Sequence, residues 1–485
     1  MKIKSILPLL FILLPAVVAL GKPADYLEKC WARQGASLGS QSATFSYREN
    51  ANELEHSQYP WQQTTYEKKG RFWMSGSQFL RQDTVAQGQK TYYSKTQVSA
   101  GELLFLDYGD QNVGKAVTPA MLAAQLIASA RYSPLLLLQY FRQHPAAPQA
   151  PAAGLAEYQT HIQSSVVRLF IRTTDKLVER IEVLSPDELF GDALTTFTYH
   201  DYAGSGKLTY ARTIEINKIS GKLHDRVTIE AMAVVETLPV LLQKPAGYQL
   251  QAAQTTEPPV TVQHYRPNLH FVELKHTDDR VLIVEFRDFL VVAEAPLTSA
   301  NGELIIREAR NIAPGKPIKY FVFGHYHPHY LGGARAFIHH GATVLCGPGD
   351  APYVRYLASA PRTLQPDSLH LNPRPLQIEE VATSKTITDG QFSMQIHFIG
   401  NESAHTNDYL VYYFPSEKLL FEDDLVWIKR EGPAKKASPR QAGLYQAIKS
   451  RNLSVETVVQ SWPVADYGVK TIIPFADLEQ TMQVK

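Results

Sequence analysis

Five histidines fall between residues 325 and 340, and three of them alternate in the stretch FGHYHPHYLGG, residues 323–333. No other stretch limits so tightly what this chain can fold into. It continues IKYFVF, residues 318–323, a β-branched and aromatic run with the composition of a buried strand. Gly332 and Gly333 then turn the chain into the helical text ARAFIHH. His325, His327 and His329 therefore sit on a connection between a strand and a helix. Alternate residues of extended backbone point the same way, so His325 and His327 can converge on one point. Imidazole is the commonest protein ligand for zinc, and two converging histidines joined by a third from elsewhere make a tetrahedral site with one open position. The plainer reading is a surface loop that happens to be rich in histidine.

At 485 residues the chain is too long for one ordinary core, which predicts two or three domains. A net charge of +1 gives no reason to expect a nucleic-acid partner. The chain opens MKIKSILPLLFILLPAVVALG: Lys2 and Lys4, an apolar run over residues 5–18, then small residues suited to cleavage. This pattern predicts a signal peptide over residues 1–21 and a periplasmic or secreted protein. A membrane anchor is the alternative, but the run is short for a span, and no later stretch is long and apolar enough to be one. The two cysteines, Cys30 and Cys346, are expected to remain separate thiols; spacing alone does not establish that their Cα atoms approach.

Residues 22–251 read as an N-terminal β-rich domain. Period-two runs such as TTYEKKGRFWMSG and KTYYSKT predict antiparallel strands with one wet face, and TPAMLAAQLIASARYSPLLLLQYFRQ, residues 118–143, switches to helical spacing with a break at Ser133-Pro134. Strand text resumes after residue 154. This pattern resembles the curved half-barrel of periplasmic lipoprotein carriers, a likeness of pattern with no motif behind it. His161, His200 and His224 in this region are read as solvated strand residues. AAQTTEPPVTVQ, residues 252–263, has the composition of a linker. From residue 264 to 485 strands and helices alternate, which implies sheets with helices outside, an α/β domain.

This second region resembles the metallo-β-lactamase superfamily. VLIVEFRDFLVVAEAP, residues 281–296, is similar to the family's N-terminal strands. FGHYHPHYLGG stands at its first metal-binding loop, and SAHTNDYLVYYFPSEKLLFEDDLV, residues 403–426, at its later segment with an isolated metal histidine and an aspartate ending the next strand. The resemblance implies an αββα sandwich with its metal site in the cleft where the loops of the two sheets meet. The family loop reads His-x-His-x-Asp-His followed by Gly-Gly. His325 and His327 match its first two histidines, His405 the isolated one, and Asp424 the aspartate that commonly bridges two metals, with neighbouring Asp423 a weaker substitute. His329 stands where the family has aspartate, Tyr330 where it has the third histidine, and VVQSWP, residues 458–463, where it has the last ligand. The motif is therefore divergent in one direction: the first metal position is complete, and of the second only Asp424 remains.

The resemblance thus implies one zinc per chain on His325, His327 and His405, with Asp424 nearby. His329 can serve as a general base or, with Asp424 and Tyr330, ligate a displaced second ion. The expected activity is metal-dependent hydrolysis of an ester, lactone, thioester or amide. The competing reading is a catalytically decayed member of the fold that retains a metal or carries an apolar ligand. Other residues receive plainer readings: His339 and His340 end a helix, GPGD at 347–350 is a turn, and His397 is packed in a strand. Asp408 either supports a ligand histidine or caps and is solvated, and EGPAKKASPRQ, residues 431–441, is a loop beside the site.

Overall fold

The computed structural model describes residues 25–35, 38, 41–55, 57–76, 78–87, 90–99, 102–106, 118–144, 153–205, 208–236 and 260–484. The expected signal peptide lies outside the described residues, and so does the linker as far as residue 259. The linker was read as far as residue 263, but Val260–Arg266 is already a strand.

The first half builds an eleven-stranded sheet. Edge to edge its strands are Glu102–Leu106, Lys90–Ser99, Gln78–Gln87, Gln63–Ser75, Ser42–Leu54, Leu223–Val235, Leu208–Lys218, Gly191–Ser205, Val178–Asp187, Ser165–Arg172 and Leu155–Ile162, every pair antiparallel. One face carries the core, because alternate residues such as Phe45, Tyr47, Val167, Leu169, Ile214 and Ile216 point to the same side. Two helical segments cover that face. Tyr26–Gln34 is capped by Asp25, whose carboxylate accepts from Glu28 N at 3.0 Å. The other breaks, as its Ser-Pro step requires, between Pro119–Ala128 and Leu135–Gln143. Leu135 to Leu138 and Phe141 are almost wholly buried in it, worth about 1.5–3 kcal/mol each relative to exposure. Cys30 lies buried in the helix Tyr26–Gln34 and Cys346 in a strand of the second half, both as free thiols. His161, His200 and His224 are exposed.

The second half contains two further sheets. The larger runs Val260–Arg266, Leu269–Leu274, Asp279–Glu285, Leu290–Ala293, Ile318–Val322, Thr343–Cys346 and Gln377–Glu380, turning from antiparallel to parallel after its fourth strand. The smaller runs Ser384–Thr388, Ser393–Phe398, Leu410–Phe414, Leu419–Glu422, Thr457–Gln460 and Ile472–Pro474. The apolar cores record which layers meet. Phe271, Leu282, Val284, Val291 and Val322 of the larger sheet pack against Met394, Ile396, Leu410, Tyr412 and Phe421 of the smaller. The larger sheet's other side meets the helices Ser299–Ile312, Ala334–His339 and Ala351–Ser359, and the smaller sheet's other side meets Pro439–Ser450 and Phe475–Gln483. Both faces of each sheet are thus covered, which explains the unbroken apolar runs of VLIV and LVYYF.

The halves share an apolar seam. Trp61, from the turn between the strands Ser42–Leu54 and Gln63–Ser75, stacks on Phe190 at 5.4 Å and meets Tyr353 and Tyr356 edge-on at 5.2 and 4.9 Å. Gly191, at φ +73°, sits so close to Pro361 O that a Cβ would lie 2.3 Å from it. Next to it, Asp192 accepts hydrogen bonds from Thr363 N at 2.7 Å and Leu364 N at 3.2 Å.

Candidate metal centre

The centre grows out of the chain's change of period at Pro328. After the strand Ile318–Val322 the chain bends over residues 324–327, His327 is extended (φ −63°, ψ 145°), and Pro328 then opens the short helix Pro328–Leu331. His325 and His327 turn towards each other, while the Tyr326 hydroxyl turns to Glu55 and Ser57 of the first half. The expectation that all three alternating histidines share a loop is corrected here. His329 lies on the helical turn, where the side-chain period is no longer two, and it leaves the pair. Gly332 and Gly333 bring this helix against the segment after Ala293: a Cβ on Gly332 would lie 2.5 Å from Leu297 C and O. The third histidine arrives from the smaller sheet. A 3₁₀ turn, Gly400–Ser403, and a left-handed Ala404 (φ 52°) lead into it, and Ser403 Oγ accepts from His405 N at 3.2 Å.

His325, His327 and His405 are all buried, and each offers one nitrogen within 4.8 Å of the other two. His325 Nε2 and His327 Nδ1 are 2.9 Å apart, and the His405 ring centroid stands 4.8 Å from each of theirs. Ligand nitrogens of a tetrahedral zinc are about 3.3 Å apart at Zn–N distances of about 2.0–2.1 Å, a separation these spacings bracket. His405 Nε2 is buried without a hydrogen bond among the described residues, 3.3 Å from Asp424 Oδ2. A buried imidazole nitrogen with no hydrogen bond is costly, and a cation bound at His405 Nε2 would remove that cost. The donor set therefore fits a metal ion.

Behind the histidines lies an acidic layer. His325 Nδ1 donates to Asp423 Oδ2 at 2.7 Å, with both side chains fully buried. That bond fixes the tautomer and turns the Nε2 lone pair towards the other rings. On its far side Asp423 meets Glu294, which accepts from Tyr412 Oη at 2.7 Å and from Gly324 N at 3.3 Å. Burial drives both carboxyls upward, Glu294 to about 8. Tyr409 lies over His325, ring centroids 4.8 Å apart, and its hydroxyl accepts from Asp423 N and Asp424 N at 3.2 and 3.3 Å. Asp424 faces the cluster from the front. Burial alone would raise its carboxyl, but His405, Arg440 (Nη1 at 3.4 Å) and His327 outweigh burial and hold it below the usual range.

His329 Nδ1 lies 3.0 and 3.1 Å from the two oxygens of Asp279, which is fully buried at the start of its strand. That bond, against partial burial, raises the imidazole above its ordinary value. Tyr330 packs its buried ring on His325, centroids 4.5 Å apart, and burial pushes its hydroxyl well up. QSWP does fall beside the centre. Ser461 N donates to Glu422 O at 2.9 Å and Trp462 N to Asp423 O at 3.0 Å, so this strand end braces the acidic turn by its backbone and offers no ligand.

The plainer readings are also placed. His339 Nδ1 lies 3.2 Å from Asn372 O, and His340 pairs with Glu303 at 2.9 Å. His397 is half-buried on its strand, near Gln395. Asp408 holds the GPGD turn through Gly349 N instead of a ligand histidine. Arg440, in the segment read as a loop beside the site, comes from the first turn of the helix Pro439–Ser450. Reading the sequence missed Asp279, Glu294 and Tyr409. The only signal was position: acids immediately before or after apolar strands, at TDDRV and AEAP.

No family model and no curated protein matches the chain. Solved structures do. The chain is similar to a metallo-β-lactamase from Pontibacter korlensis, 19% identical, TM-score 0.34, over 47% of this chain and 98% of that one. It is similar to the metallo-β-lactamase FIM-1 from Pseudomonas aeruginosa, 18% identical, TM-score 0.35, over 48% and 97%. A flavo di-iron protein from Thermotoga maritima matches at 11% identity and TM-score 0.33 or below, over 47% of this chain and 62% of its own. These neighbours are proteins of the metallo-β-lactamase fold.

Proposed function

We propose that residues 264–485 form a metallo-β-lactamase-superfamily hydrolase, an αββα sandwich that binds one zinc on His325, His327 and His405 and cleaves an ester, lactone, thioester or amide. The observation that carries this reading is the trio of buried imidazoles with His325 already oriented by Asp423. Zinc held there would polarise a carbonyl and lower the pKa of water to about 7. The chain's own groups supply the rest. Asp424, held ionised 3.3 Å from His405 Nε2, is placed to take a proton from the attacking water. His329, with Nδ1 engaged by Asp279, keeps Nε2 for a proton passed to the leaving group. With Tyr330 buried and QSWP offering only backbone, a second metal has too few ligands. A cavity of about 610 Å³ at the seam, lined among others by Leu54, Trp61, Phe190, Leu297, Tyr326 and Tyr353, supports a substrate with an apolar group. The first half then belongs to the same enzyme as a lipoprotein-carrier-like half-barrel, and the signal-like start supports export to the periplasm or beyond. No helix among the described residues is long and apolar enough to cross a membrane.

Elemental analysis of the purified chain tests the reading. We expect close to one zinc per chain, lost in His325→Ala and His405→Ala and retained in His339→Ala. Two tightly held ions per chain, or none, would overturn it.

A further inference from the structure

One turn of the N-terminal sheet touches both loops that carry the histidines. It comprises Glu55 and residues 57–62 and is held in shape by its own bonds: Glu55 N to Gln62 O at 2.8 Å, Gln58 N to Gln62 Oε1 at 2.9 Å and Gln62 N to Tyr59 O at 3.2 Å. Trp61 wedges it among Phe190, Tyr353 and Tyr356 of the seam. From that anchored base it reaches the centre twice. Tyr326, the residue between His325 and His327, sends its hydroxyl to the turn, where it accepts from Ser57 N at 3.1 Å and lies 3.2 Å from both Glu55 O and Ser57 O. Two residues after His405, Asn407 N donates to Gln58 O at 2.6 Å.

The alternation that directs His325 and His327 inward directs Tyr326 outward, into this grip. Holding Tyr326 therefore fixes the rotation of the segment on which both histidines ride, and holding Asn407 fixes the height of the loop that brings the third. The two loops come from different sheets, and the turn is a common brace between them. We propose that the turn formed by Glu55 and residues 57–62 is a positioning clamp for the metal centre, with Tyr326 as its handle, so that the centre is complete only with the N-terminal half in place. Tyr326 is a positioning residue: it acts through the backbone of its neighbours and touches no reacting atom. The proposal rests on the metal reading of the trihistidine cluster.

The test uses the full chain, stripped of metal and titrated with cobalt(II) by visible absorption and with zinc against a chelator. Tyr326→Phe keeps the ring and deletes the hydroxyl's contacts with the turn. Trp61→Ala releases the turn without altering either histidine-bearing loop. Both should weaken metal binding by roughly ten- to a hundredfold, the usual worth of a group that orients ligands from behind, and both should change the cobalt spectrum. Asp192→Asn weakens the same seam at Thr363 and Leu364, away from the histidines, and should leave affinity and spectrum as in the wild type. Wild-type affinity and spectrum in folded Tyr326→Phe and Trp61→Ala would overturn the clamp alone. An equal loss in Asp192→Asn would reduce it to general loosening and overturn it as well. A wild-type chain that binds neither ion would overturn both the clamp and the proposed function.

Discussion

Substituting Gly324 by alanine should strike the centre from behind. A Cβ at this position would lie 2.1 Å from Asp423 Oδ2, 2.5 Å from its Cγ and 2.6 Å from Oδ1. Ordinary carbon–oxygen contacts begin near 3.3 Å, so the carboxylate or the loop must retreat by about 1.2 Å. Neither has free space. Asp423 is fully buried against Glu294, and Gly324 N itself donates to Glu294 Oε2 at 3.3 Å. The 2.7 Å bond from His325 Nδ1 to Asp423 is what gives way. Losing a buried charge-assisted bond costs about 1.5–3 kcal/mol, and overpacking adds about 1–3 kcal/mol. We therefore expect the metal-free protein to lose about 3–5 kcal/mol in urea unfolding, and zinc affinity to fall a further ten- to a hundredfold because His325 is no longer oriented. Gly332→Ala is the control. Its Cβ would meet Leu297 backbone at 2.5 Å, so it should lower stability while leaving the His325–Asp423 bond intact. Zinc affinity in folded Gly324→Ala equal to that of Gly332→Ala would refute the assignment of Asp423 as the group that aims His325.

Two further outcomes are expected. His329→Ala should lower the rate of hydrolysis by roughly 10²–10⁴, the usual worth of general acid–base catalysis, with metal content unchanged; a loss of metal instead would make His329 a ligand. Asp367, bound by Arg335 at 2.6 and 2.9 Å, has its carboxyl lowered to about 2: burial would raise it, but that bond, the His370 N–H and the charge of Arg362 outweigh burial. A carboxyl lowered on folding stabilises above its unfolded value near 3.8 and loses that contribution as pH falls through about 2, so the gap in urea stability between wild type and Asp367→Asn should shrink by about 2 kcal/mol on acidification from pH 5. A gap that does not change with pH would remove the ion pair from the account.

The histidine pair was legible because its signal is local: alternation on an extended segment is a property of neighbouring residues. His405 was legible only through family resemblance, since nothing in SAHTND says that this loop closes over the other two histidines. The adjacent acids of EDD show where local reading stops. Asp423 and Asp424 are chemically equal in the sequence, yet strand geometry sends one behind His325 and the other in front of His405. The same alternation that pairs His325 with His327 places His329 on the loop beside them. What overruled the alternation was Pro328, whose fixed φ suits the first turn of a helix. Asp279 and Glu294 had no pattern at all to announce them. Their roles depend on contacts with residues 50 and 118 positions away in sequence.

The seam was the least legible part, and the physics explains why. Composition suggested a linker and two independent domains, an inference that holds when few contacts cross the boundary. Here contacts do cross it: Trp61 meets Tyr353 and Tyr356 edge-on, Phe190 joins the apolar core of the second half, and the Tyr326 hydroxyl bonds Ser57. Each aromatic residue is ordinary core text in its own neighbourhood, and none signals that its partner lies in another domain. Two stretches joined by a long connection can still share one apolar surface, because closing a longer loop adds little entropy cost. The consequence reaches the chemistry. Tyr326 sits between His325 and His327 and is held by a turn some 270 residues earlier, so the separation between the two halves, clear in composition, does not survive at the trihistidine cluster.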